Sequence, residues 1–196
     1  MSVVAAIKQN GKIYLGADSQ VTKGGTRLSL SNPNNYKIWK VRGIPNCLMA
    51  SVGAMREACV IRIMTNLIRE IDALKEEVDF EYVVGRVVPL IKSELEDYGY
   101  LDKDKRFDGF DASYLLAINN SLFYINSDAS VIEIDDCIAI GSGANESIGS
   151  LLTSNGEEPV ERIIKAIKAS AAHDIYVDFP IIISDTETTE FQIIDK

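Results

Sequence analysis

The spacing of hydrophobic residues alternates along the chain between a strand-like and a helix-like period, and these periods predict its strands and helices. Two apolar runs flank Asn10-Gly11, the dipeptide most typical of a two-residue β-hairpin turn. Strands are predicted again over 36–41 and 47–52, so four strands precede the first helix. The segment 23–35, rich in Gly, Ser and Asn, is expected to be a connection.

Helical spacing takes over after residue 54. Apolar residues three and four positions apart run from Val60 to Leu74 and from Phe80 to Leu95, which predicts two amphipathic helices. Pro89 is expected to bend the second helix. The charged and aromatic segment from Asp97 to Asp108 is predicted to be a long exposed connection and a candidate for contact with a partner.

The second half of the chain repeats the order of strands followed by helices. Short strands are predicted over 110–118, 122–125, 131–134 and 137–140. Two helices follow, over 148–152 and, after Pro159, over 160–171, and a strand pair over 181–183 and 191–194 closes the chain. This order suits two packed sheets with helix pairs on their outer faces, in a single domain over 1–196.

The hairpin register brings candidate chemistry to one strand end. Counted outward from a two-residue loop, Val3 faces Asp18 and Ser2 faces Ser19. Removal of Met1, expected before a small residue, leaves a hydroxyl and a free α-amine together on Ser2. The amine, with an ordinary pKa of about 7.7–8.0, can accept the hydroxyl proton, so Ser2 would carry nucleophile and base.

Composition and charge argue against several classes of function, among them nucleic-acid binding and membrane insertion. The formal net charge of −9 and the absence of a basic run argue against a nucleic-acid or anionic-lipid surface. The apolar runs are too short to span a bilayer, and a secretory signal pattern is missing. Three cysteines without close spacing favour a cytoplasmic setting. A conventional serine triad would depend on the single histidine, His173.

Four segments in order resemble the proteasome β-subunit superfamily, with bacterial HslV as the nearest group. They are Ser2 at the chain start, GADSQVT at 16–22, YKIWKV at 36–41 and IAIGSG at 138–143. The resemblance extends over nearly the whole chain. It implies an α+β fold, the four-layer αββα sandwich of N-terminal-nucleophile hydrolases. It also implies a peptidase that acts on polypeptides in stacked homo-oligomeric rings, with a ring ATPase unfoldase as partner.

The resemblance assigns the catalytic roles one residue at a time. Ser2 stands at the position of the nucleophilic threonine, Lys37 at that of the lysine beside it, and Asp18 at that of the aspartate that supports the lysine. An ammonium near Ser2 favours the transition state, and Asp18 keeps that ammonium charged and in place. Gly53 matches the glycine whose N–H faces the oxyanion.

Further positions carry over from the same resemblance. Ser142 and Asp174 match residues that hydrogen-bond around the terminal amine, and Ser51 and Met55 lie near the specificity pocket. The resemblance implies no organic cofactor and no catalytic metal, although a monovalent cation near Asp174 is expected.

Some features depart from the family pattern or allow other interpretations. The nucleophile is Ser rather than Thr, so the methyl group that restricts the rotamer is missing, and Val177 stands where many proteasome subunits have serine. A chain that retains Met1 would lack the free amine on Ser2 and would be catalytically inactive.

The candidate residues also allow other interpretations. Asp18 is a plausible turn residue, and Lys40 is the alternative lysine, although strand alternation directs it to the opposite face. An amidase acting on small amides and a non-catalytic ring subunit are the competing functions.

Overall fold

Two five-stranded antiparallel sheets form the centre of the protein. The computed structural model describes residues 2–29, 32–74, 77–101 and 109–196. The first sheet consists, in spatial order, of β10 (Cys137–Gly141), β1 (Val3–Gln9), β2 (Lys12–Asp18), β11 (Ile181–Asp185) and β12 (Gln192–Ile194). The second consists of β5 (Ile38–Lys40), β6 (Cys47–Gly53), β7 (Ala112–Ile118), β8 (Ser121–Ile125) and β9 (Val131–Glu133).

Helices cover the outer face of each sheet. The second sheet is covered by α1 (Met55–Ile63), α2 (Glu70–Leu74), α3 (Phe80–Tyr82) and α4 (Val88–Asp97). The first sheet is covered by α5 (Ala144–Thr153) and α6 (Pro159–His173). Alternate residues of each strand point to opposite faces, so both sheets contribute one face to a shared core and the other to their helices.

Three apolar clusters fill the spaces between the layers. The cluster between the two sheets includes Val4, Leu15, Leu48 and Leu115, all fully buried. Separate clusters lie between each sheet and its helices. The predicted four-layer αββα sandwich is therefore confirmed.

The first hairpin has the predicted register. Gln9 pairs with Lys12, Ile7 with Tyr14 and Val4 with Ala17 around Asn10 and Gly11, both at positive φ. The ladder ends at the Val4–Ala17 pair, and beyond it the Val3 N–H donates to the side chain of Asp18. Ser2 and Ser19 are therefore not a ladder pair.

The connection predicted over 23–35 contains regular structure, so this expectation was wrong. The chain forms a hairpin of β3 (Gln20–Lys23) and β4 (Thr26–Ser29), with a turn at Gly24-Gly25, and a 3-10 turn over Pro33–Asn35. Six strands therefore precede the first helix rather than four. The two strands pair only with each other, and their polar, largely exposed sequence lacks the apolar alternation by which strands are recognised.

The first predicted helix is also divided. Helix α1 ends at Ile63, where Met64 adopts an extended conformation, and α2 begins only at Glu70. Thr65 and Asn66 have weak helix propensity, while the apolar spacing continues because Leu67 and Ile68 are buried in the same cluster. Spacing alone could not separate burial from helical conformation here.

The second predicted helix contains a widened turn before its proline. A π-helical turn over Val83–Val87 lies between α3 and α4, and the Val88 N–H bonds to the carbonyl of Val83. Pro89 has no N–H to donate, and in a regular helix its ring would crowd the carbonyl of Gly85. The predicted connection Asp97–Asp108 lies largely outside the described residues, and α4 ends at Asp97.

Helix α6 approaches the first sheet closely at one glycine. A Cβ added to Gly16 would lie 2.1 Å from Cγ2 of Ile163. The missing side chain therefore sets the distance between α6 and β2. Among the described residues, none lies in a helix of the length and apolar character needed to cross a bilayer.

Candidate active site

A buried ion pair links the two sheets at one end of the sandwich. Lys37, just before β5, extends its ammonium to Asp18 at the end of β2, with Nζ 2.7 Å from Oδ1. The Lys37 side chain is 8% exposed and the Asp18 side chain 0%. Nζ also donates to the backbone carbonyl of Gln20 at 2.7 Å. The lysine is thus held by two acceptors away from solvent.

Asp18 organises the backbone around the pair. Its Oδ1 accepts from the Val3 N–H at 2.9 Å as well as from Lys37, and its Oδ2 accepts from the Gln20 N–H at 3.0 Å. Val3 directly follows Ser2, so one carboxylate fixes both the lysine and the strand that carries the serine. Burial raises the pKa of Asp18 and lowers the pKa of Lys37, and the attraction between the two groups opposes both changes.

Ser2 lies beside the turn that follows β10, the edge strand paired with β1. Its backbone nitrogen donates to Oγ of Ser142 at 3.1 Å, and the Ser142 hydroxyl and the Gly143 N–H lie within hydrogen-bond reach of the Ser2 carbonyl. Antiparallel pairing of β1 with β10 produces this contact, because Val3 faces Gly141. Met1, whose loss is part of the sequence hypothesis, lies outside the described residues.

Gly141 makes the approach of Ser2 possible. It has φ +104°, and a Cβ at this position would lie 2.1 Å from the Ser2 carbonyl oxygen. A side chain would collide with the backbone of the candidate nucleophile. The sequence analysis used the segment that contains Gly141 only for the family resemblance and missed this requirement, since only the tertiary contact reveals it.

Gly53 directs its N–H toward the open edge beside Lys37. In β6 the Ser51 N–H donates to the carbonyl of Lys37, and the Ala54 N–H donates to Asp111 on the other side. Strand alternation therefore places the Gly53 N–H on the Lys37 side. Strand β5 begins at Ile38, which pairs with Ala50, so the ladder has ended before Gly53. This donor lies where an oxyanion could be bound.

Asp174 lies close to the ion pair without joining it by a hydrogen bond. Its Oδ1 accepts from the Tyr176 N–H at 2.9 Å, and its charge opposes the larger effect of burial, which lowers the pKa of Lys37. Its Oδ2 is buried and lacks a hydrogen-bond partner among the described residues. Asp174 therefore acts on the site through its charge and its turn, while Ser142 contacts the Ser2 nitrogen.

A cavity of about 310 Å³ opens next to these groups. Ser2, Lys37 and Gly53 line it together with the predicted pocket residues Ser51 and Met55. Gln20 also lines it, and its backbone binds both members of the ion pair. Sequence reasoning did not single out Gln20, because a backbone role leaves no trace in residue type.

The alternative lysine and the single histidine lie elsewhere. Lys40 is at the surface, with Nζ 3.1 Å from Glu190, on the face predicted by alternation. His173 is exposed at the end of α6. A cluster of three or more His, Cys, Asp or Glu side chains suited to a metal ion does not occur in the described part of the chain.

The sequence is similar to curated HslV proteins over nearly its whole length. The chain is 28% identical over 194 residues to the "ATP-dependent protease subunit HslV" of Borreliella burgdorferi strain ZS7, covering 95% of this chain and 96% of that protein. The same values hold for HslV of strain ATCC 35210. A comparison with protein-family profiles finds no match.

Solved structures share the fold. "Thiobacillus denitrificans BPH" aligns with a TM-score of 0.70 at 19% identity, covering 93% of this chain and 96% of that one. Eukaryotic HslV from Trypanosoma brucei gives 0.64 at 17% identity, covering 93% and 98%. The Anbu (Gly-1) mutant from Hyphomicrobium sp. strain MC1 gives 0.67 at 13% identity, covering 100% and 88%. The predicted resemblance to the proteasome β-subunit superfamily and HslV is confirmed, as is the N-terminal-nucleophile hydrolase fold.

Proposed function

We propose that this HslV-like chain is a peptidase whose nucleophile is Ser2, made N-terminal by removal of Met1. The observation that carries the proposal is the buried Lys37–Asp18 pair, which lies beside the Ser2 strand, with Lys37 lining the same cavity as Ser2. A lysine used only for solubility would extend into water, whereas Lys37 is 8% exposed. Charged groups are buried in this way at functional sites more often than elsewhere.

The reaction uses Ser2, the Gly53 N–H and a water molecule. The Ser2 Oγ attacks the peptide carbonyl, and the Ser2 α-amine takes the hydroxyl proton. The Gly53 N–H stabilises the oxyanion of the tetrahedral intermediate. The protonated amine then gives its proton to the leaving amine as the peptide C–N bond breaks, which leaves an ester on Ser2. Water, deprotonated by the same amine, hydrolyses the ester and releases the carboxylic acid.

Lys37 and Asp18 support this reaction through charge and position. The ammonium stabilises negative charge that develops on the Ser2 oxygen, and it favours the neutral form of the neighbouring α-amine. Asp18 keeps the ammonium in place and holds Val3, which fixes the path of the strand that ends in Ser2. Ser142 orients the Ser2 nitrogen.

The proposal extends to the assembly and the partners. The Borreliella proteins are named as an ATP-dependent protease subunit, which supports a polypeptide substrate and an ATPase partner for this chain. Stacked homo-oligomeric rings and a ring-shaped unfoldase belong to the same proposal through the resemblance to the family. The net charge of −9 supports the absence of nucleic-acid and membrane partners. A cytoplasmic location belongs to the same proposal.

The proposal requires no organic cofactor and no catalytic metal. A monovalent cation near Asp174 fits one observation, the buried Oδ2 without a hydrogen-bond partner in the described ranges. Such an ion would neutralise this carboxylate and stabilise the turn after α6. No step of the reaction passes through it.

Intact mass combined with covalent labelling of Ser2 tests the proposal. Protein from the native host should lack the mass of Met1, and a peptide epoxyketone or similar N-terminal-nucleophile reagent should label Ser2. Lys37→Ala should abolish labelling, whereas the matched control Lys40→Ala should retain it because Lys40 pairs with Glu190 at the surface.

Three outcomes would contradict the proposal. A retained Met1 favours the non-catalytic ring subunit. Unchanged labelling in Lys37→Ala removes the lysine from the mechanism. Hydrolysis of small amides by a monomer or dimer that leaves peptides intact favours the amidase.

A further inference from the structure

A second cation lies in the cavity beside Ser2. Arg62, from the last turn of α1, lines the same cavity as Ser2 and Gly53. Its Nη2 donates to the backbone carbonyl of Tyr36, the residue before Lys37, and its guanidinium lies 5.0 Å from the centre of the Trp39 ring. These two contacts hold the guanidinium at the cavity wall.

In the described part of the chain, no carboxylate pairs with the positive charge of Arg62. Its Nε and Nη1 are buried and have no hydrogen-bond partner among the described residues. Burial lowers the pKa of Arg62, which is the direction expected of a cation without a nearby carboxylate. A buried guanidinium donor without an acceptor is costly, so a bound acceptor would be favourable here.

The other charges at the cavity do not satisfy Arg62. Lys37 is already paired with Asp18, and Lys23 is exposed and also positive. The described residues that line the cavity include neither Asp nor Glu, although the chain as a whole has 29 acidic residues and 20 lysines and arginines. The cavity is therefore a local exception to the acidic character of the protein.

We propose that Arg62 is a specificity-determining residue that binds the side-chain carboxylate of the substrate residue whose carbonyl Ser2 attacks. Cleavage then follows Glu or Asp. A carboxylate in the cavity balances the positive charge of the guanidinium, and such a pair is strengthened by charge-assisted hydrogen bonds. The apolar walls from Val21, Met55 and Ala58 pack against the methylene groups of such a side chain. This assignment rests on the proposed peptidase function and names its substrate class.

A matched set of peptides tests the assignment. Fluorogenic peptides that differ only in the residue before the scissile bond, with Glu, Gln, Leu or Lys, are given to the full chain after mass measurement has verified a free Ser2. We expect kcat/KM to be about tenfold or more higher for Glu than for Gln, which differ in charge but little in shape. Equal values for Glu and Gln would overturn the proposal.

Variants of Arg62 identify the residue responsible. Arg62→Met should lower the Glu-to-Gln ratio of kcat/KM to about one, whatever its effect on the absolute rates, and Arg62→Glu should favour the Lys peptide. The control Arg56→Met, on the same helix but paired with Asp111 outside the cavity, should retain the preference. A Glu preference that survives in folded Arg62→Met would overturn the assignment.

Two further measurements distinguish a failure of the Arg62 assignment from a folding defect and from a failure of the proposed peptidase function. If Arg62→Met does not fold, as judged by circular dichroism, the Glu-to-Gln ratio of the unmodified protein decides alone. If no peptide is hydrolysed, the proposed function fails rather than the pocket assignment. Fluorescence anisotropy with labelled Glu and Gln peptides then tests the pocket, and equal Kd values would overturn it.

Discussion

Lys37 reaches from the second sheet to Asp18 in the first, and the 2.7 Å contact between Nζ and Oδ1 joins the two halves of the sandwich. The same Oδ1 binds the backbone of Val3, next to the candidate nucleophile. A disturbance of this carboxylate therefore acts on the lysine and on the Ser2 strand together. Stability and activity are coupled at this point.

Lys37→Met should destabilise the protein strongly. It leaves the fully buried Asp18 carboxylate without its cation, and we expect the free energy of unfolding to fall by about 3–5 kcal/mol. Adding Asp18→Asn removes the stranded charge and should recover part of the loss without restoring acylation. Urea denaturation measures the effect. The control Lys40→Met should change stability by about 0–1 kcal/mol, since its pair is exposed.

Gly141→Ala should impair both folding and acylation. The new Cβ would lie 2.1 Å from the Ser2 carbonyl oxygen at a position with φ +104°, and we expect a loss of about 1–3 kcal/mol and a displaced Ser2. Thermal denaturation and epoxyketone labelling are the measurements. Gly149→Ala, in α5 with open space around it, should instead stabilise by about 0.5–1 kcal/mol. Normal labelling of Gly141→Ala would contradict the placement of Ser2.

Gly16→Ala should push α6 away from the first sheet. The added methyl would lie 2.1 Å from Cγ2 of Ile163, and such overpacking costs about 1–3 kcal/mol. Ile163→Ala alone should cost about 2–5 kcal/mol through a cavity. Because each change relieves the other, the double variant should be at least about 0.5 kcal/mol more stable than the sum of the single losses predicts. Strict additivity in denaturant titrations would count against this contact.

Tyr114→Phe should measure how much a buried hydrogen bond between β7 and α1 contributes to the stability of the protein. The Tyr114 hydroxyl donates to Oε2 of the fully buried Glu57 at 2.5 Å, and Oε1 of Glu57 binds the Asp111 N–H. Removing the donor leaves a carboxylate oxygen unsatisfied, with an expected loss of about 1–3 kcal/mol. Tyr124→Phe, whose partner Asn126 is only part-buried, should cost less. Equal losses in chemical denaturation would contradict this account.

Local chain geometry made part of the site predictable. Asn10-Gly11 sets a two-residue turn, and the register that follows brings Val3 next to Asp18, whose side chain accepts from the Val3 N–H. The short hairpin Gln20–Ser29 and the break after Ile63 were missed, because polar strands and buried irregular segments do not follow the expected spacing. The helical run near Pro89 was recognised, but the wide turn was not.

The amino-acid order alone determined most of the elements, the first hairpin register and the candidate nucleophile, since these depend on turn chemistry and on contacts between near neighbours. Folding in three dimensions decided that β10 pairs with β1 and places Ser142 at the Ser2 nitrogen, and that α1 brings Arg62 to the same cavity. These contacts join residues far apart in the chain. They depend on which surfaces pack together, and the spacing of hydrophobic residues along the chain does not contain this information.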